Sequence, residues 1–315
     1  MGQLVDGIWT TEDRKTGSDG AFQRAATSFR DRIEPGGRFP PEAGRYRLYV
    51  SLACPWAHRT LIFHALKGLA DLIPVSVTHW HMGENGWGFA PGPGVVPDPI
   101  FHARHLHEVY TAAKPDFTGR VTVPVLLDTH TRRIVNNESA EIIRILNSAF
   151  DAIGAKPGDY APADLLPEIE AVNARVYETL NNGVYRCGFA RSQAAYDAAI
   201  TPLFETLDWL EDRLSRQRFL CGDRITEADW RLFTTLIRFD AVYHGHFKCN
   251  LRRIADYPAL DDYLRSLLHW PGVAETVDLH HIRHHYYGSH RHLNPSGIVP
   301  AGPILDLSQP GSRGP

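Results

Sequence analysis

The chain has 315 residues, of which 43% are hydrophobic and 22% are charged, and its formal net charge is −3. A chain of this length can bury a sizeable core and predicts two domains. The charge argues against nucleic acid as the main partner, because phosphate binding depends on a basic surface. No apolar stretch approaches the length of a membrane span, so the composition favours a globular protein outside the membrane.

Four cysteines are scattered along the chain: Cys54, Cys187, Cys221 and Cys249. They lack the CxxC spacing of a metal site and the density of a secreted disulfide framework. The start of the chain, Met1–Gly7, lacks the basic residues and apolar core of a signal peptide. We therefore expect a reducing compartment, the cytoplasm.

The first predicted elements form a βαβ unit. Residues 1–45 are rich in Gly, Pro and charge, so we expect an ordered but largely loop-like arm. Tyr46–Val50 predicts a strand, Pro55–Lys67 a helix and Ile73–Thr78 a second strand. Strand, helix and strand at this spacing indicate a parallel pair of strands.

Residues 46–150 complete this first domain. The segment Gly83–Pro99 is rich in Gly and Pro and predicts no regular structure. The run Val121–Asp128 predicts a strand, although Pro124 cannot donate to a ladder. That proline indicates an edge position or a cis peptide after Val123. The other expected elements are a short helix at Arg104–Ala113, a hairpin strand at Arg133–Val135 and a helix at Ser139–Phe150.

Residues 151–163 predict a linker, and residues 164–290 predict an all-helical domain. Apolar residues recur in this domain at i, i+3 and i+4, which is typical of helices. Thr226 and Asp229 have the spacing of a capping box, whose task is structural. Residues 291–315 predict an extended tail. The expected helices are Leu165–Asn181, Gln193–Leu214, Thr226–Tyr243 and Pro258–Leu268.

Cys54 is the strongest candidate for a functional residue. It stands between a predicted strand and a predicted helix and is followed by Pro55, which suits the first helical position. The residue before a proline is excluded from helical conformation, so Cys54 is expected at the helix cap. There its sulfur faces unpaired N–H groups and the positive end of the helix, which lowers a thiol pKa and favours the nucleophilic thiolate.

A buried structural cysteine is the alternative for position 54, because a free cysteine packs like a small hydrophobic residue. The Cys-Pro pair between strand and helix favours a reactive thiol. A dithiol redox site would place a second cysteine at position 57, which is Ala57. The predicted thiolate therefore needs an external thiol to complete a cycle. The other three cysteines are expected to be structural.

Together these residues resemble a known family. A βαβ–ββα domain with Cys-Pro at its first helix, Val-Pro before a hairpin and Glu-Ser at the next helix resembles the thioredoxin-like half of glutathione transferases. An all-α second domain completes that architecture. The details resemble the glutathionyl-hydroquinone reductases, or Xi-class glutathione transferases. The matching segments are 54–59, 86–89, 120–126, 136–143, 181–185, 188–190 and 285–290, followed by Asn294-Pro295.

The resemblance implies a glutathione site in the first domain. It implies that Cys54 is the catalytic nucleophile. Val123 corresponds to the residue before a cis proline, Pro124, whose backbone pairs with the glutathione cysteinyl backbone like an added strand. Glu138 and Ser139 are implied as the anchors of the γ-glutamyl end, since a carboxylate and a helix N-terminus suit its ammonium and carboxylate groups.

The resemblance also implies aromatic and basic contacts. Trp87 and Arg120 correspond to further glutathione contacts. Tyr185, with Tyr286 or Tyr287, corresponds to the pocket for an aromatic substrate, and Tyr185 or Tyr286 is expected to supply a proton. Plain structural explanations remain for these residues: a loop anchor, a surface ion pair and core tyrosines with satisfied hydroxyls. Glu138-Ser139 could likewise be an ordinary helix start.

The histidine-rich stretch His280–His285 has pairs at i and i+4, a spacing that can bind a transition metal. No glutamate follows in an HExxH arrangement, and Arg283 would repel a cation. Histidines near a helix end, where positive charge is favoured, are the plainer explanation. We therefore expect no metal.

The predicted activity is the glutathione-dependent reduction of glutathionyl-hydroquinones through a Cys54–glutathione mixed disulfide, with glutathione as co-substrate and oxidised glutathione as product. A general thioltransferase or dehydroascorbate reductase that uses the same cysteine is the first alternative. A non-catalytic binding module is the second, although Cys54, Pro124, Glu138 and Ser139 are all present. The resemblance further implies a homodimer.

Overall fold

The computed structural model describes residues 2–11, 20–22 and 26–314, so part of the predicted arm lies outside the described residues. Its strands are β1 Gln3–Val5, β2 Ile8–Thr10, β3 Tyr46–Val50, β4 Val75–Val77, β5 Val125–Asp128 and β6 Arg133–Asn136. Its α-helices are α1 Pro55–Leu66, α2 Leu106–Ala113, α3 Ser139–Ser148, α4 Leu166–Val176, α5 Gly183–Gly188, α6 Gln193–Arg216, α7 Glu227–Arg238, α8 His244–His246, α9 Pro258–Leu268 and α10 Leu279–Ser289.

The contacts divide the chain into two compact units. Unit 1 consists of Met1–Arg14, Ala25–Gly158 and Thr276–Ser289. Unit 2 consists of Lys15–Arg24, Asp159–Glu275 and His290–Pro315. Helix α10 was expected in the helical domain 164–290, but its contacts place it in unit 1.

A four-stranded mixed sheet forms the centre of unit 1, in the order β4-β3-β5-β6. Strand β3 pairs in parallel with β4, so the predicted parallel pair is confirmed. Strand β5 is antiparallel to both β3 and β6. The sheet and the packed helices α1 and α3 bury the apolar residues that form the core of this unit. The α/β half of the predicted architecture is therefore present.

The arm contains one short antiparallel hairpin, β1–β2, in which Leu4 pairs with Trp9. One sequence expectation needs correction in unit 1. The strand expected at Val121–Asp128 begins only at Val125, directly after Pro124. It is an interior strand, and the Val123–Pro124 peptide is cis. Of the two explanations for this proline, the cis peptide is confirmed and the edge position is wrong.

Unit 2 is helical, as the recurrence of its apolar residues at i, i+3 and i+4 predicted. Helices α4 and α7 each continue into a π-helical turn, at Tyr177–Asn181 and Phe239–Tyr243. The predicted capping box at the start of α7 is confirmed, since the Asp229 carboxylate accepts from the Thr226 backbone N–H at 2.8 Å. Asp229 is fully buried and also accepts from the Tyr263 hydroxyl at 2.8 Å, which ties α7 to α9.

The described part of the tail, residues 291–314, contains no helix or strand. Near its end, the backbone N–H of Ser312 donates to the Asp262 carboxylate at 2.6 Å, and Arg313 pairs with the same carboxylate. The end of the tail thus packs against α9. None of the helices in the described ranges combines the length and apolar character that crossing a membrane requires.

Candidate active site

Cys54 caps helix α1. Its backbone is extended (φ −80°, ψ 122°), and Pro55 occupies the first helical position, as the sequence predicted. The Cys54 carbonyl accepts the first intrahelical bond, from the His58 N–H at 2.9 Å. No acidic residue stands in the first turn of α1 to oppose a negative charge at the sulfur. The partly exposed thiol therefore sits at the positive end of a helix.

The sulfur of Cys54 lies beside the turn that carries the cis proline. Its Sγ donates to the Val123 carbonyl oxygen over 3.7 Å. Val123 and Pro124 are buried, and β5 starts immediately after them. The fold thus brings together a cysteine and a Val-Pro turn that are nearly 70 residues apart in the sequence. A peptide that paired with the backbone of this turn would lie beside the Cys54 sulfur.

Glu138 and Ser139 form the start of helix α3. Glu138 is the cap, and its carboxylate accepts from the Ala140 N–H at 3.2 Å. Ser139 is buried and accepts from the guanidinium of Arg59, itself 1% exposed, at 3.4 Å. A carboxylate, a helix N-terminus and a buried cation therefore meet in unit 1, a combination suited to a group that carries both an ammonium and a carboxylate.

Tyr110 links these two turns and was not found from the sequence. This residue of α2 is fully buried, and burial raises the pKa of its hydroxyl. The hydroxyl donates to the Thr122 carbonyl at 2.8 Å and accepts from the side-chain amide of Asn137 at 3.2 Å. Thr122 precedes Val123 and Asn137 precedes Glu138, so one hydroxyl fixes the spacing of both turns. A single tyrosine in a short helix gave no sequence signal for this role.

The arm also supports the Glu138 turn. Arg30 forms an antiparallel bridge with Asn136, and the Asp31 N–H donates to the Val135 carbonyl at 2.9 Å. Thr27 donates its hydroxyl to the Glu138 carboxylate at 3.2 Å. Part of the arm therefore lies along the end of β6 and holds the carboxylate that the sequence singled out.

Trp87 is buried in unit 1, and its ring stacks on His285 of α10 with centroids 4.7 Å apart. Its carbonyl accepts the Leu106 N–H at the start of α2. Arg120 is half-buried and lies three residues before Val123. The plain interpretation of Trp87 as a loop anchor and the interpretation as a glutathione contact are both compatible with this placement.

The predicted tyrosines lie in different units. Tyr185 of α5 belongs to unit 2, is 9% exposed and is surrounded by the rings of Phe22, Phe189, Tyr243 and Phe247 at centroid distances of 5.4–6.4 Å. Tyr286 and Tyr287 lie on α10 in unit 1. Tyr286 is 1% exposed, whereas Tyr287 is half-buried and burial raises the pKa of its hydroxyl.

The other three cysteines are buried in unit 2. Burial raises the pKa of the Cys221 thiol to about 12. Burial also raises the pKa of the Cys249 thiol well above its usual range. Cys187 is 2% exposed. Their environments thus differ from that of Cys54, which is partly exposed at a helix start.

The histidine-rich stretch lies on α10, and three of its histidines, His281, His284 and His285, bond carbonyl oxygens. The His281 Nε2–H donates to Pro93 O at 2.8 Å, and the His284 Nδ1–H donates to His280 O at 2.9 Å. Within the described residues, the one group of three metal-type ligands lies elsewhere, at His105, His107 and Glu108. There Glu108 accepts from the Arg104 N–H, as in a helix cap.

Comparison with known proteins agrees with this arrangement. The family model "Glutathione S-transferase, N-terminal domain" matches residues 53–149, and "Glutathione S-transferase, C-terminal domain" matches residues 193–266. The glutathionyl-hydroquinone reductase PcpF of Sphingobium chlorophenolicum is 59% identical over 98% of each chain. The glutathionyl-hydroquinone reductase YqjG of Escherichia coli is 52% identical over 99% of this chain and 98% of its own.

Solved structures show the same likeness. A Xi-class glutathione transferase from Natrialba magadii has a TM-score of 0.94 at 48% identity, over 99% of this chain and 96% of its own. The glutathione-bound structure of YqjG has a TM-score of 0.91 at 49% identity, over 99% of each chain. The chain therefore belongs to the glutathione transferase family and, within it, to the Xi-class branch of glutathionyl-hydroquinone reductases.

Proposed function

We propose that this protein reduces glutathionyl-hydroquinones to hydroquinones with glutathione as the reductant. The observation that carries the proposal is the Cys54 thiol at the start of α1, with its Sγ 3.7 Å from the Val123 carbonyl before a cis proline. A lone cysteine in this setting can be attacked or can attack, but has no second cysteine in the motif to resolve a disulfide. Two proteins named glutathionyl-hydroquinone reductases are 59% and 52% identical to this chain over nearly its full length, which supports the substrate class.

In this proposal glutathione binds along the turn of Val123 and Pro124. The Val123 backbone pairs with the cysteinyl backbone of glutathione and places its sulfur beside Cys54. Glu138 accepts from the γ-glutamyl ammonium, and Ser139 and the α3 N-terminus receive its carboxylate. The structure supports these roles through the half-buried Glu138 carboxylate and the Arg59 guanidinium beside Ser139. Trp87 and Arg120 make further contacts.

The first chemical step is a displacement at sulfur. The Cys54 thiolate attacks the sulfur of the glutathionyl-hydroquinone, and a Cys54–glutathione disulfide forms as the bond between sulfur and the ring carbon breaks. The bonding pair stays on the ring carbon, which takes up a proton and leaves as the hydroquinone. In the second step the thiolate of a free glutathione attacks the disulfide and releases oxidised glutathione and the Cys54 thiolate. The ring carbon is reduced and glutathione is oxidised.

The proton for the ring carbon is proposed to come from Tyr185 or Tyr286. A tyrosine hydroxyl that is protonated at neutral pH can act as such an acid. Tyr287 is the third proposed contact of the aromatic ring, and the raised pKa of its hydroxyl keeps it protonated. The aromatic surroundings of Tyr185 support a role near an aromatic substrate, because rings favour stacked or edge contacts.

A general thioltransferase or dehydroascorbate reductase is the second candidate. One relative, of Schizosaccharomyces pombe, carries an omega-like name, "Glutathione S-transferase omega-like 2", and is 46% identical over 92% of this chain and 95% of its own. Both candidates use Cys54 and glutathione, so they differ only in the group bonded to the glutathione sulfur. A non-catalytic module is disfavoured by the intact thiol and helix-start anchors.

The test compares kcat/KM for glutathionyl-menadiol, a glutathionylated peptide and dehydroascorbate with the same purified protein. The proposal predicts the highest value for glutathionyl-menadiol. A higher value for the peptide or for dehydroascorbate would favour the second candidate. Retention on glutathione resin without turnover of any of the three would favour the binding module.

The proposal includes a homodimer that works in the cytoplasm. The family resemblance supports the dimer, and the lone catalytic thiol fits a reducing compartment. Light scattering of the purified protein at several concentrations measures the first property, and a mass of one chain throughout would contradict it.

A further inference from the structure

Three polar side chains of α10 bond the backbone of one loop. The loop, residues 79–94, carries Trp87 and is called the Trp87 loop below. The His281 Nε2–H donates to the Pro93 carbonyl at 2.8 Å, and the His285 Nδ1–H donates to the Trp80 carbonyl at 2.9 Å. Ser289 accepts from the Met82 N–H at 2.9 Å. The three donors and acceptors stand at i, i+4 and i+8, so they lie on one face of the helix.

These bonds account for two of the four histidines in the stretch His280–His285. His281 is fully buried and His285 is 7% exposed, and each uses one ring nitrogen on a carbonyl, which can only accept. His280 is exposed, and His284 bonds its own helix. His281 and His285 thus bond carbonyl oxygens of the loop, whereas His280 and His284 contact it through the ring of Trp80, at centroid distances of 4.9 and 6.1 Å. Gly94 has φ +72°, and a Cβ there would lie 3.0 Å from His281 Nε2, so the loop is shaped to this helix face.

His285 also contacts Trp87, the side chain that is proposed to contact glutathione. Its ring stacks on Trp87 with centroids 4.7 Å apart and planes inclined by 25°. Because the His285 Nδ1–H is bonded to the Trp80 carbonyl, the imidazole cannot rotate without breaking a partly buried hydrogen bond. The imidazole therefore provides a fixed flat surface for the indole.

We propose that His285 is a positioning residue of the glutathione site, which sets the plane of Trp87 and is held in place by the carbonyl of Trp80. This inference rests on the proposed function, because it needs Trp87 to contact glutathione. His281 and Ser289 hold the two flanks of the Trp87 loop at the same helix face. Two of the four histidines in this stretch therefore hold the Trp87 loop against α10.

The test is the dissociation constant of glutathione, measured by calorimetry with the reduced full-length protein. His285→Ala is expected to weaken binding roughly tenfold, because it removes both the stack on Trp87 and the partly buried hydrogen bond to Trp80. His285→Phe keeps a ring against Trp87 and should remain within about threefold of the wild type. His285→Asn keeps an N–H near the Trp80 carbonyl without a ring and should fall between these two. His284→Ala is the matched control and should bind like the wild type.

A double-mutant cycle with Trp87→Ala separates positioning from general stability. If His285 acts through Trp87, His285→Ala adds little to the loss already caused by Trp87→Ala. Additive losses, an unchanged dissociation constant in His285→Ala, or an equal loss in His284→Ala would each overturn the inference. If His285→Ala fails to fold, His285→Phe and His285→Asn decide, since equal losses in both contradict a role for the ring. Absence of glutathione binding by the wild type would instead refute the proposed function.

Discussion

Two regions of the molecule are built in opposite ways. The thiol region of unit 1, formed by Cys54, Val123, Glu138 and Ser139, is made of helix caps and turns whose polar groups have defined partners. The aromatic cluster of unit 2, around Tyr185 and Phe247, is made of ring contacts. Polar contacts have strict geometry, whereas apolar contacts tolerate substitution of similar volume. Changes in the first region should therefore remove single steps or contacts, and changes in the second should alter substrate acceptance or stability.

The largest effect is expected at the thiol region itself. Cys54→Ser should lower turnover of glutathionyl-menadiol at least about 10³-fold, because the hydroxyl is a far weaker nucleophile at neutral pH. Steady-state kinetics measures the loss. Cys221→Ala is the control from unit 2, where the thiol is buried and its pKa is raised to about 12. It should keep the wild-type turnover, and retained activity in Cys54→Ser would remove the mechanism.

The next effect concerns acid stability of the aromatic cluster. His246 is buried against Phe247 and bonds His290, and burial, with Lys248 and His292, lowers the pKa of His246 to about 4. Between pH 6.5 and 4 the unfolded chain binds a proton that the folded chain does not. The free energy of unfolding should fall through this window by at most about 3 kcal/mol from this group.

Urea unfolding at pH 7 and at pH 4.5 measures the change in the free energy of unfolding with pH. His246→Asn should lose less stability over the window than the wild type does, whatever its stability at pH 7. Equal slopes in both proteins would show that His246 does not titrate as its burial requires.

In the thiol region, Glu138→Gln should raise the KM for glutathione roughly tenfold or more. It removes a charge-assisted hydrogen bond, worth about 1.5–3 kcal/mol, while keeping the side-chain shape. Glu141→Gln is the matched control, since Glu141 lies on the same helix and pairs with Arg30 instead. If both variants show the same KM, Glu138 is only a helix cap.

Tyr185→Phe tests whether the aromatic cluster of unit 2 supplies the proton for the first step. If Tyr185 supplies the proton, the single-turnover release of hydroquinone should slow by at least about tenfold. The resolving exchange of the Cys54–glutathione disulfide needs no such acid and should proceed at the wild-type rate. Stopped-flow absorbance separates the two steps. An unchanged first step would leave Tyr286 as the proposed acid.

Tyr110→Phe should have the smallest effect. It removes the hydroxyl between Thr122 and Asn137 and leaves the ring, so the two turns keep their packing but lose their common bond. We expect a few-fold rise in the KM for glutathione and a stability loss of about 1–3 kcal/mol. Equilibrium unfolding and steady-state kinetics give both values. A KM equal to that of the wild type would mean that the turns hold their spacing without Tyr110.

The sequence predicted most of the elements of the fold and part of the thiol region. Cys54, its Pro55 and the Val123–Pro124 turn follow from local backbone rules, because proline restricts both itself and its neighbour. The start of β5 at Val125 was missed, although the same restriction on proline explains it. The hairpin β1–β2 was missed because its strands have only three residues each.

Contacts between distant residues could not be predicted from local pattern. The Tyr110 hydroxyl, the Thr27 hydroxyl and the His285 ring act on residues 12 to about 200 positions away. A residue type such as tyrosine or threonine is compatible with many partners, so its position in the sequence carries no information on which one it meets. The family resemblance supplied Tyr185, but not the rings of Phe22 and Phe247 that surround it.

In the proposed mechanism, Cys54 alone carries the glutathionyl group during turnover. The direct measurement mixes the reduced protein with glutathionyl-menadiol in the absence of free glutathione, quenches with acid and maps the adduct by peptide mass spectrometry. The proposed mechanism predicts one glutathione per chain on the Cys54 peptide and release of an equal amount of menadiol. An adduct on Cys187, Cys221 or Cys249, or release of menadiol without any protein adduct, would contradict it.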